Sequence, residues 1–171
     1  MKRLILSLLF FLLFIPLPLM AVEKETFLVH LKTSLSRDDA QICVAYNIML
    51  AAIEEGFRVK VLVDADAVNT FKIGWLGKDD IENYKIPDNL RQELSKQFNI
   101  PISKLPGTYG EFLLMLKDRG VEFYINTEML IVSKIGTPDD PLKRISAKFF
   151  RPVTLREMLK IRQEAKYYMT Y

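Results

Sequence analysis

The chain has 171 residues, a formal net charge of +3, one cysteine and one histidine. This length suits a single domain and excludes two large ones. A single cysteine cannot form an intramolecular disulfide. With only one cysteine and one histidine, the chain also lacks the ligands of a Cys/His zinc site and the Cys-x-x-Cys-His motif that attaches haem. The sequence therefore indicates a domain held by its apolar core, and it indicates no metal and no cofactor.

Residues 1–21 have the pattern of a bacterial secretory signal peptide. Two bases are followed by an almost unbroken apolar run, which ends before the small Ala21. Cleavage there leaves a single domain, residues 22–171, whose net charge of +1 gives no indication of nucleic-acid binding. Leu19 is large where a small side chain is preferred, and the apolar run is as long as a short membrane span, so an uncleaved inner-membrane anchor is the alternative. Both interpretations place the domain in the periplasm or outside the cell.

Short β-branched or aromatic runs alternate with helical stretches along the rest of the chain. This alternation is typical of parallel strands joined by crossover helices. Strands are predicted at residues 27–31, 59–63 and 121–125, with shorter runs at 147–150 and 167–171 as the fourth and fifth. The predicted fold is a three-layer α/β/α domain with a mostly parallel sheet of about five strands.

Three predicted helices begin with a hydroxyl side chain three residues before an acid. These capping boxes start at Ser36, Thr108 and Thr154, and each precedes an apolar-periodic stretch. Gly56 and Gly120 end the first two of these helices just ahead of a strand. Strand, capped helix, glycine and strand is the order found in doubly wound α/β domains.

The first helix is more apolar than a single sheet contact requires. Its sheet-facing side is predicted to carry Ile42, Ala45, Tyr46, Met49, Ala52 and Ile53. Val44, Ile48 and Ala51 extend the apolar surface around the helix, while Cys43 falls on the more polar side. We therefore expect a homo-oligomer that buries part of this surface.

Residues 65–107 form an unusually long connection between strands. A short helix is predicted to begin near Asp88 and to end before Pro101. Connections of this length often carry a lid or binding loop, in which Trp75 would be a mobile apolar contact. The other interpretation has Trp75 pinned beneath the loop as part of a small satellite core.

The order of these elements resembles the DsrE/DsrF-like sulfur-relay family over nearly all of residues 25–171. The resembling parts are the opening strand 27–31, the long helix ending at Gly56, the strand end 61–64, the run 120–125 and the final segment 154–171. The resemblance implies a small α/β/α domain, commonly an oligomer, with its site at the carboxyl ends of the strands. The same location follows from the general rule for open α/β sheets.

The sequence departs from this family at the residue that carries sulfur. Sulfur-carrying members have a cysteine at the end of the third strand, where this chain has Asn126. An amide offers no thiolate to hold a persulfide. Cys43 lies within the first helix, away from the strand ends, so sulfur relay at the usual position is not expected.

Several polar side chains lie near the predicted carboxyl ends of strands. The candidate ligand-binding residues are His30, Lys32, Thr33, Asp64, Asn126 and Thr127. A structural interpretation stays open for each of them. A lone strand histidine is commonly a hydrogen-bonded core residue, and the lysine and threonine beside it either hold an anion or simply end the strand.

The remaining candidates also have two interpretations. Asn126 and Thr127 stand where a helix begins, so they either cap that helix or face an anion at its N-terminus. Asp64 and Asp66 would need a further oxygen donor to ligate a cation, and Asx turns explain the same spacing.

Residues 143–166, here called the basic C-terminal region, contain eight bases and two acids. Their local charge of +6 stands in a domain of +1, so the charge distribution is strongly dipolar. Such a region steers an acidic periplasmic protein or an anionic membrane surface, although a solvated helix face explains it as well.

These observations predict an exported, non-catalytic DsrE-like domain that acts as a binding or assembly component. Small sulfur-containing anions or a periplasmic partner are the expected ligands. The alternatives are a sulfurtransferase or sulfur carrier that uses Cys43, another enzyme that uses His30, Asp64 and Asn126, and a membrane-tethered scaffold.

Overall fold

The computed structural model describes residues 24–74, 77 and 79–171. The predicted signal peptide or anchor and Trp75 lie outside these residues. Within the described part of the chain, no helix combines the length and the apolar character that crossing a bilayer requires.

Five strands form one sheet. They are β1 (Thr26–Leu31), β2 (Arg58–Val63), β3 (Glu122–Asn126), β4 (Arg151–Val153) and β5 (Tyr167–Thr170). Their spatial order is β4-β3-β2-β1-β5, and each neighbouring pair is parallel. The predicted parallel sheet of five strands is confirmed, including the parallel pairing of the first two strands.

Among the described residues, six helices and two 3₁₀ turns connect the strands. The helices are α1 (Asp39–Glu54), α2 (Asp80–Asn83), α3 (Asp88–Phe98), α4 (Tyr109–Asp118), α5 (Thr127–Val132) and α6 (Leu155–Glu164). The 3₁₀ turns span Ala65–Phe71 and Ile102–Lys104. The long connection between β2 and β3 thus carries small helices of its own, among them the predicted one that begins at Asp88.

The chain order explains why the two faces of the sheet are covered differently. From β1 to β4 the strands advance in one direction, so right-handed crossovers leave their connections on one face. Val29 and Val61 belong to the large core on that face. The connection from β4 to β5 returns across the sheet and puts α6 on the other face, where Leu28 and Leu62 pack with Ile161. The result is the predicted three-layer α/β/α arrangement, with one thick layer and one thin layer.

The fourth strand lies later in the sequence than predicted. Residues 147–150 form a loop, and β4 begins immediately after them. The ring of Phe150 lies 4.7 Å from that of Phe71 and 5.6 Å from that of Phe123, so this aromatic run packs on the core instead of pairing. Pro152 follows within β4, where the edge position tolerates a residue that cannot donate a backbone hydrogen bond.

Two of the three predicted capping boxes are formed. Those at Thr108 and Thr154 are complete, with the glutamate side chain bonding back to the cap residue. The box predicted from Ser36 is wrong, because Asp38 caps α1 and accepts a hydrogen bond from the backbone N–H of Gln41 at 3.0 Å. The N–H of Asp38 itself bonds back four residues at 3.1 Å, and this preceding turn moves the helix start past the serine.

The predicted glycines follow α1 and α4. Gly56 and Gly120 have φ angles of 87° and 91°, in the left-handed region that glycine adopts without a side-chain clash. Each turns the chain directly into the next strand.

The apolar surface of α1 is only partly covered. The residues buried on its sheet-facing side are Ile42, Ala45, Tyr46, Met49 and Ala52, while Ile53 is half-buried. Ile48 and Ala51 are half-buried as well, and Val44 is 48% exposed. The predicted homo-oligomer stays a prediction, and Val44 is the apolar residue of α1 that such an interface would cover most directly.

Candidate functional site

Strand register brings three of the predicted site residues together. Leu62 of β2 pairs with His30 of β1 on one side and with Tyr124 of β3 on the other. Asp64 lies two residues beyond Leu62, so its side chain points to the same face, between His30 and Asn126. The predicted clustering at the carboxyl ends of the strands is therefore present for these three side chains.

Asp64 is the centre of this cluster. Its Oδ2 lies 3.3 Å from Nε2 of His30, and its Oδ1 accepts hydrogen bonds from Nδ2 of Asn126 at 2.6 Å and from the N–H of Ala65 at 2.7 Å. Ala65 has a φ of 48°, a left-handed conformation that costs an L-residue about 1–2 kcal/mol. The backbone is therefore locally strained at Ala65, whose N–H holds the Asp64 carboxylate in place.

Both ring nitrogens of His30 are engaged. A carboxylate accepts, so Nε2 carries the proton toward Asp64, and Nδ1 is then the acceptor for the hydroxyl of Tyr168 at 2.9 Å. Burial lowers the pKa of His30, the charges of Lys32 and Arg162 lower it further, and Asp64 opposes them. The histidine is consequently neutral at pH 7, and its basic nitrogen, Nδ1, faces the hydroxyl of Tyr168.

Tyr168 belongs to the site but was not among the predicted residues. It lies on β5, which pairs with β1 at the sheet edge, and the guanidinium of Arg162 stacks on its ring at 3.9 Å. Alternation within the terminal run could have placed this tyrosine on a defined face. The neighbour of β5 in the sheet could not be predicted, because it depends on where the last crossover lands.

Asn126 combines the two predicted interpretations. Its Oδ1 accepts hydrogen bonds from the backbone N–H groups of Glu128 at 2.9 Å and Met129 at 3.3 Å, which caps α5. Its Nδ2 donates to Asp64 at the same time. Thr127 is the half-buried first residue of α5 and does not enter the hydrogen-bond network around Asp64.

Lys32 and Thr33 contribute mainly through their backbone. Their N–H groups bond to the carbonyl of Tyr171 at 2.6 Å and 3.3 Å, which ties the C-terminal residue to the end of β1. The Lys32 side chain is exposed and contributes positive charge near His30.

The acidic pair Asp64 and Asp66 serves two separate networks. Asp66 accepts from the hydroxyl of Ser34 at 2.5 Å and from Nδ2 of Asn69 at 3.0 Å, and these bonds, the serine first, hold its pKa below the usual range. In the described residues no group of three or more His, Cys, Asp or Glu side chains is placed to hold a metal ion. The geometry agrees with the turn interpretation, since Asp64 also accepts from the N–H of the next residue.

An apolar groove runs between α6 and the sheet, beside the cluster of His30, Asp64 and Asn126. We call it the α6 groove; its volume is about 340 Å³, and its lining residues are Leu28, His30, Leu62, Leu155, Met158, Leu159, Arg162 and Tyr168. Leu155 is 56% exposed and Leu159 is 66% exposed, so these two leucines give the groove an exposed apolar rim. The groove has apolar walls and one polar end, which His30, Tyr168 and Arg162 form.

Cys43 lies on the opposite side of the sheet from this groove. It is a half-buried residue of α1, and its Sγ accepts a hydrogen bond from Nδ2 of Asn47 at 3.7 Å. Because α1 packs on the face that carries Val29 and Val61, the sheet separates the thiol from His30.

Comparison with known proteins bears on the fold. No protein-family model matches the sequence, and no curated protein matches it significantly. Among solved structures, the fold is similar to the crystal structure of ychN protein from E. coli, with a TM-score of 0.53 and 15% sequence identity. The similarity covers 86% of this chain and 99% of that chain. The ychN protein has a DsrE/DsrF-like fold, so this chain has a DsrE-like α/β fold as well.

Proposed function

We propose that the protein is an exported, non-catalytic binding component with a DsrE-like fold, and that its α6 groove holds the ligand. The observation that carries this proposal is the hydrogen bonding of His30. Asp64 occupies one ring nitrogen and Tyr168 the other. A histidine that serves a ligand as general base needs its basic nitrogen within reach of the ligand's proton, and the Tyr168 hydroxyl occupies that position at Nδ1.

The other polar groups of the cluster support the same role. Asn126 occupies the position where the resembling family carries its sulfur, and both ends of its amide are used within the fold. Cys43 lies behind the sheet, so it offers no thiol to a ligand in the groove. The hydrogen-bond network holds these polar side chains in fixed positions, which suits the binding of a ligand at the polar end of the groove.

The groove suits a ligand with an apolar body and an anionic end. Leu28, Leu62 and Met158 offer apolar contact, while Arg162 and Lys32 contribute positive charge beside the Tyr168 hydroxyl. Pockets of about 300–1,000 Å³ with apolar walls and few polar groups are typical small-molecule sites. Small sulfur-containing anions are the class that the family resemblance favours, and a segment of a periplasmic partner is the other candidate.

Anilinonaphthalene sulfonate (ANS) tests this proposal directly, because it combines an apolar ring system with a sulfonate. We expect the folded protein to bind ANS with increased fluorescence. Leu159→Glu should weaken that binding at least about tenfold, since it places a charge in the groove at an already exposed position. Val132→Glu is the matched control, because Val132 is 73% exposed on α5, outside the groove. Equal effects of the two substitutions would contradict the proposed site.

A further inference from the structure

A second cavity lies on the same face of the sheet, toward the amino ends of the strands. We propose that it binds the tetrahedral oxyanion group, phosphate or sulfate, of a small molecule. Its volume is about 680 Å³, and the residues that carry the argument are Arg58, Lys60, Tyr124, Arg151, Lys160 and Glu164. We call it the Lys60 cavity. It shares no lining residue with the α6 groove, so this inference goes beyond the proposed function.

Lys60 is buried in the middle of β2. It is 4% exposed, and its neighbours in the sheet are Leu28 and Glu122. Its ammonium group forms an ion pair with Glu164, whose own side chain is 56% exposed, and lies 5.9 Å from the centre of the Tyr124 ring. An ammonium has three donors, so this pair leaves hydrogen-bonding capacity directed into the cavity.

The carboxylates that line the cavity are already satisfied. Glu122 accepts from Nε of Arg58 at 2.6 Å and from the hydroxyl of Tyr124 at 2.6 Å. Burial alone would raise the pKa of Glu122, but these two hydrogen bonds hold it below its usual value. Glu157 accepts from the backbone N–H of Thr154 at 2.8 Å, within the cap of α6.

Two cations at the cavity form no close ion pair in the described part of the chain, although the charges of both also act on Glu157. Within the described residues, neither Arg151 nor Lys160 has a carboxylate oxygen within 4.0 Å of its charged nitrogens. Both side chains are exposed at the rim, and the buried ammonium of Lys60 lies deeper. A guanidinium fork and two ammonium groups around one opening supply the positive charge and the N–H donors that a tetrahedral oxyanion requires.

A purely structural role explains Lys60 poorly. Burying an ion pair carries a large desolvation cost for each ion, and a well-packed apolar residue is often as good or better for stability. Glu164 is largely in water, so it offsets that cost only in part. A ligand anion that shares the ammonium with Glu164 gives the buried charge a function.

Isothermal titration in low-salt, phosphate-free buffer tests the site. The probes are inorganic phosphate, inorganic sulfate, phenyl phosphate and phenyl sulfate. We expect at least one of them to bind the wild-type protein, and Lys60→Met to weaken that binding at least tenfold. An ester that binds more tightly than its inorganic ion would identify a small-molecule ester as the ligand class, and equal binding would identify the free anion.

Two further variants keep the proposal falsifiable. Glu164→Gln removes the competing carboxylate and should tighten anion binding, a result that a structural ion pair does not predict. Arg151→Gln changes an exposed side chain and should weaken binding without altering the fold. Lys96→Met, on α3, removes the same charge outside the cavity and serves as the control. Wild-type protein that binds none of the probes at millimolar concentration, or binding that survives both Lys60→Met and Arg151→Gln, would overturn the proposal.

Anion binding and ANS binding can be measured independently, so a failure of the Lys60 cavity can be distinguished from a failure of the α6 groove. Lys60→Met should leave ANS binding unchanged, because the two sites have different linings. Loss of ANS binding together with anion binding in both Lys60→Met and Arg151→Gln would show that ANS occupies the Lys60 cavity, which would contradict the α6 groove and leave the anion site standing.

Discussion

Asn126 donates a hydrogen bond from its side-chain Nδ2 to Oδ1 of Asp64, 2.6 Å away, although 62 residues separate them in the sequence. The oxygen of the same amide caps α5 through the N–H groups of Glu128 and Met129. One side chain therefore joins the end of β2 to the start of α5. The sequence resemblance predicts that sulfur-carrying DsrE/DsrF-like proteins have a cysteine at this position; here the side chain holds two elements of the fold together.

Removal of the Asn126 side chain should destabilise the domain. Loss of a helix cap costs about 0.5–2 kcal/mol, and Asp64 loses a buried donor as well. We expect Asn126→Ala to lower the free energy of unfolding by about 2–3 kcal/mol in urea denaturation. Asn126→Asp keeps a good cap but sets a second carboxylate against Asp64, so it should be destabilised too. An aspartate variant as stable as the wild type would show that only the cap matters.

The sequence resemblance predicts that Asn126 replaces a relay cysteine, and this gives a chemical prediction. Wild-type protein should not accept and pass on sulfur from a persulfide donor at catalytic rates, because Asn126 has no thiolate and Cys43 lies behind the sheet. Mass spectrometry after incubation with the donor and an acceptor would measure this. Asn126→Cys should gain a one-sulfur adduct at the new thiol if the site geometry survives. Stoichiometric transfer through Cys43 in the wild type would instead favour the sulfurtransferase interpretation.

The single histidine makes the stability of the protein depend on pH in a defined window. Burial lowers the pKa of His30 below its unfolded value of about 6.5, so the unfolded chain binds more protons there. Stability should therefore be full above pH 6.5 and fall as the pH decreases below it, by at most about 1.4 kcal/mol per pH unit. The groups that face the ring are Asp64, Tyr168, Lys32 and Arg162.

Urea denaturation of untagged protein between pH 5 and 6.5 would measure this slope, because a polyhistidine tag titrates in the same range. His30→Gln removes the titrating group and should flatten the slope. The carboxylates with lowered pKa values, such as Asp66 and Glu157, titrate at lower pH and leave this window clear. An equal slope in the variant would contradict the assignment.

Local sequence signals predicted the parts of the fold that depend on neighbouring residues. The threonine capping boxes and the helix-ending glycines were correct because each is decided within a few residues. The aromatic run 147–150 was misassigned because an apolar run has the same appearance in a strand and in a loop that packs on the core. Ser36 and Asp38 are both good caps, and the choice between them depends on the preceding turn.

The site was predictable only where it depends on strand ends. His30, Asp64 and Asn126 could be placed together because parallel strands bring their carboxyl ends to one edge. Tyr168 escaped prediction because the neighbour of β5 is set by a crossover that spans the whole sheet. The burial of Lys60 was equally hidden, because it depends on where α6 lies.

The exposed apolar surface of α1 gives a prediction about assembly. If a homo-oligomer covers it, Val44→Glu should shift the mass measured by light scattering toward that of a monomer. Val44 is a better target than Ile48, which is half-buried against the core and would confuse misfolding with dissociation. Val132→Glu is the control, since that residue is exposed on α5. Wild-type protein that is already monomeric at micromolar concentration would refute the oligomer.

The basic C-terminal region gives the last prediction, and the structure shows which of its bases are available. Lys166 pairs with Glu25, Arg162 stacks on Tyr168, and Lys148 donates to the carbonyl of Leu142. Lys143 and Arg156 are both exposed, and neither forms an ion pair within the described residues. Within the same residues Arg151 and Lys160 are unpaired as well, but they line the Lys60 cavity, so Lys143 and Arg156 are the residues to reverse.

Reversal of Lys143 and Arg156 to glutamate lowers the local charge from +6 to +2. If the region steers an acidic periplasmic protein or an anionic membrane, the double variant should lose most of that binding, and so should the wild type in high salt. The Debye length falls from about 10 Å at 0.1 M salt to about 3 Å at 1 M, so steering by exposed charges is screened. Pull-down from periplasmic extract and cosedimentation with anionic or neutral vesicles, each at both salt concentrations, distinguish the two partners. Lys96→Glu with Lys104→Glu is an equal charge reversal outside the region and should leave binding intact. If binding is unchanged both in high salt and in the double variant of Lys143 and Arg156, the basic residues are an ordinary solvated surface.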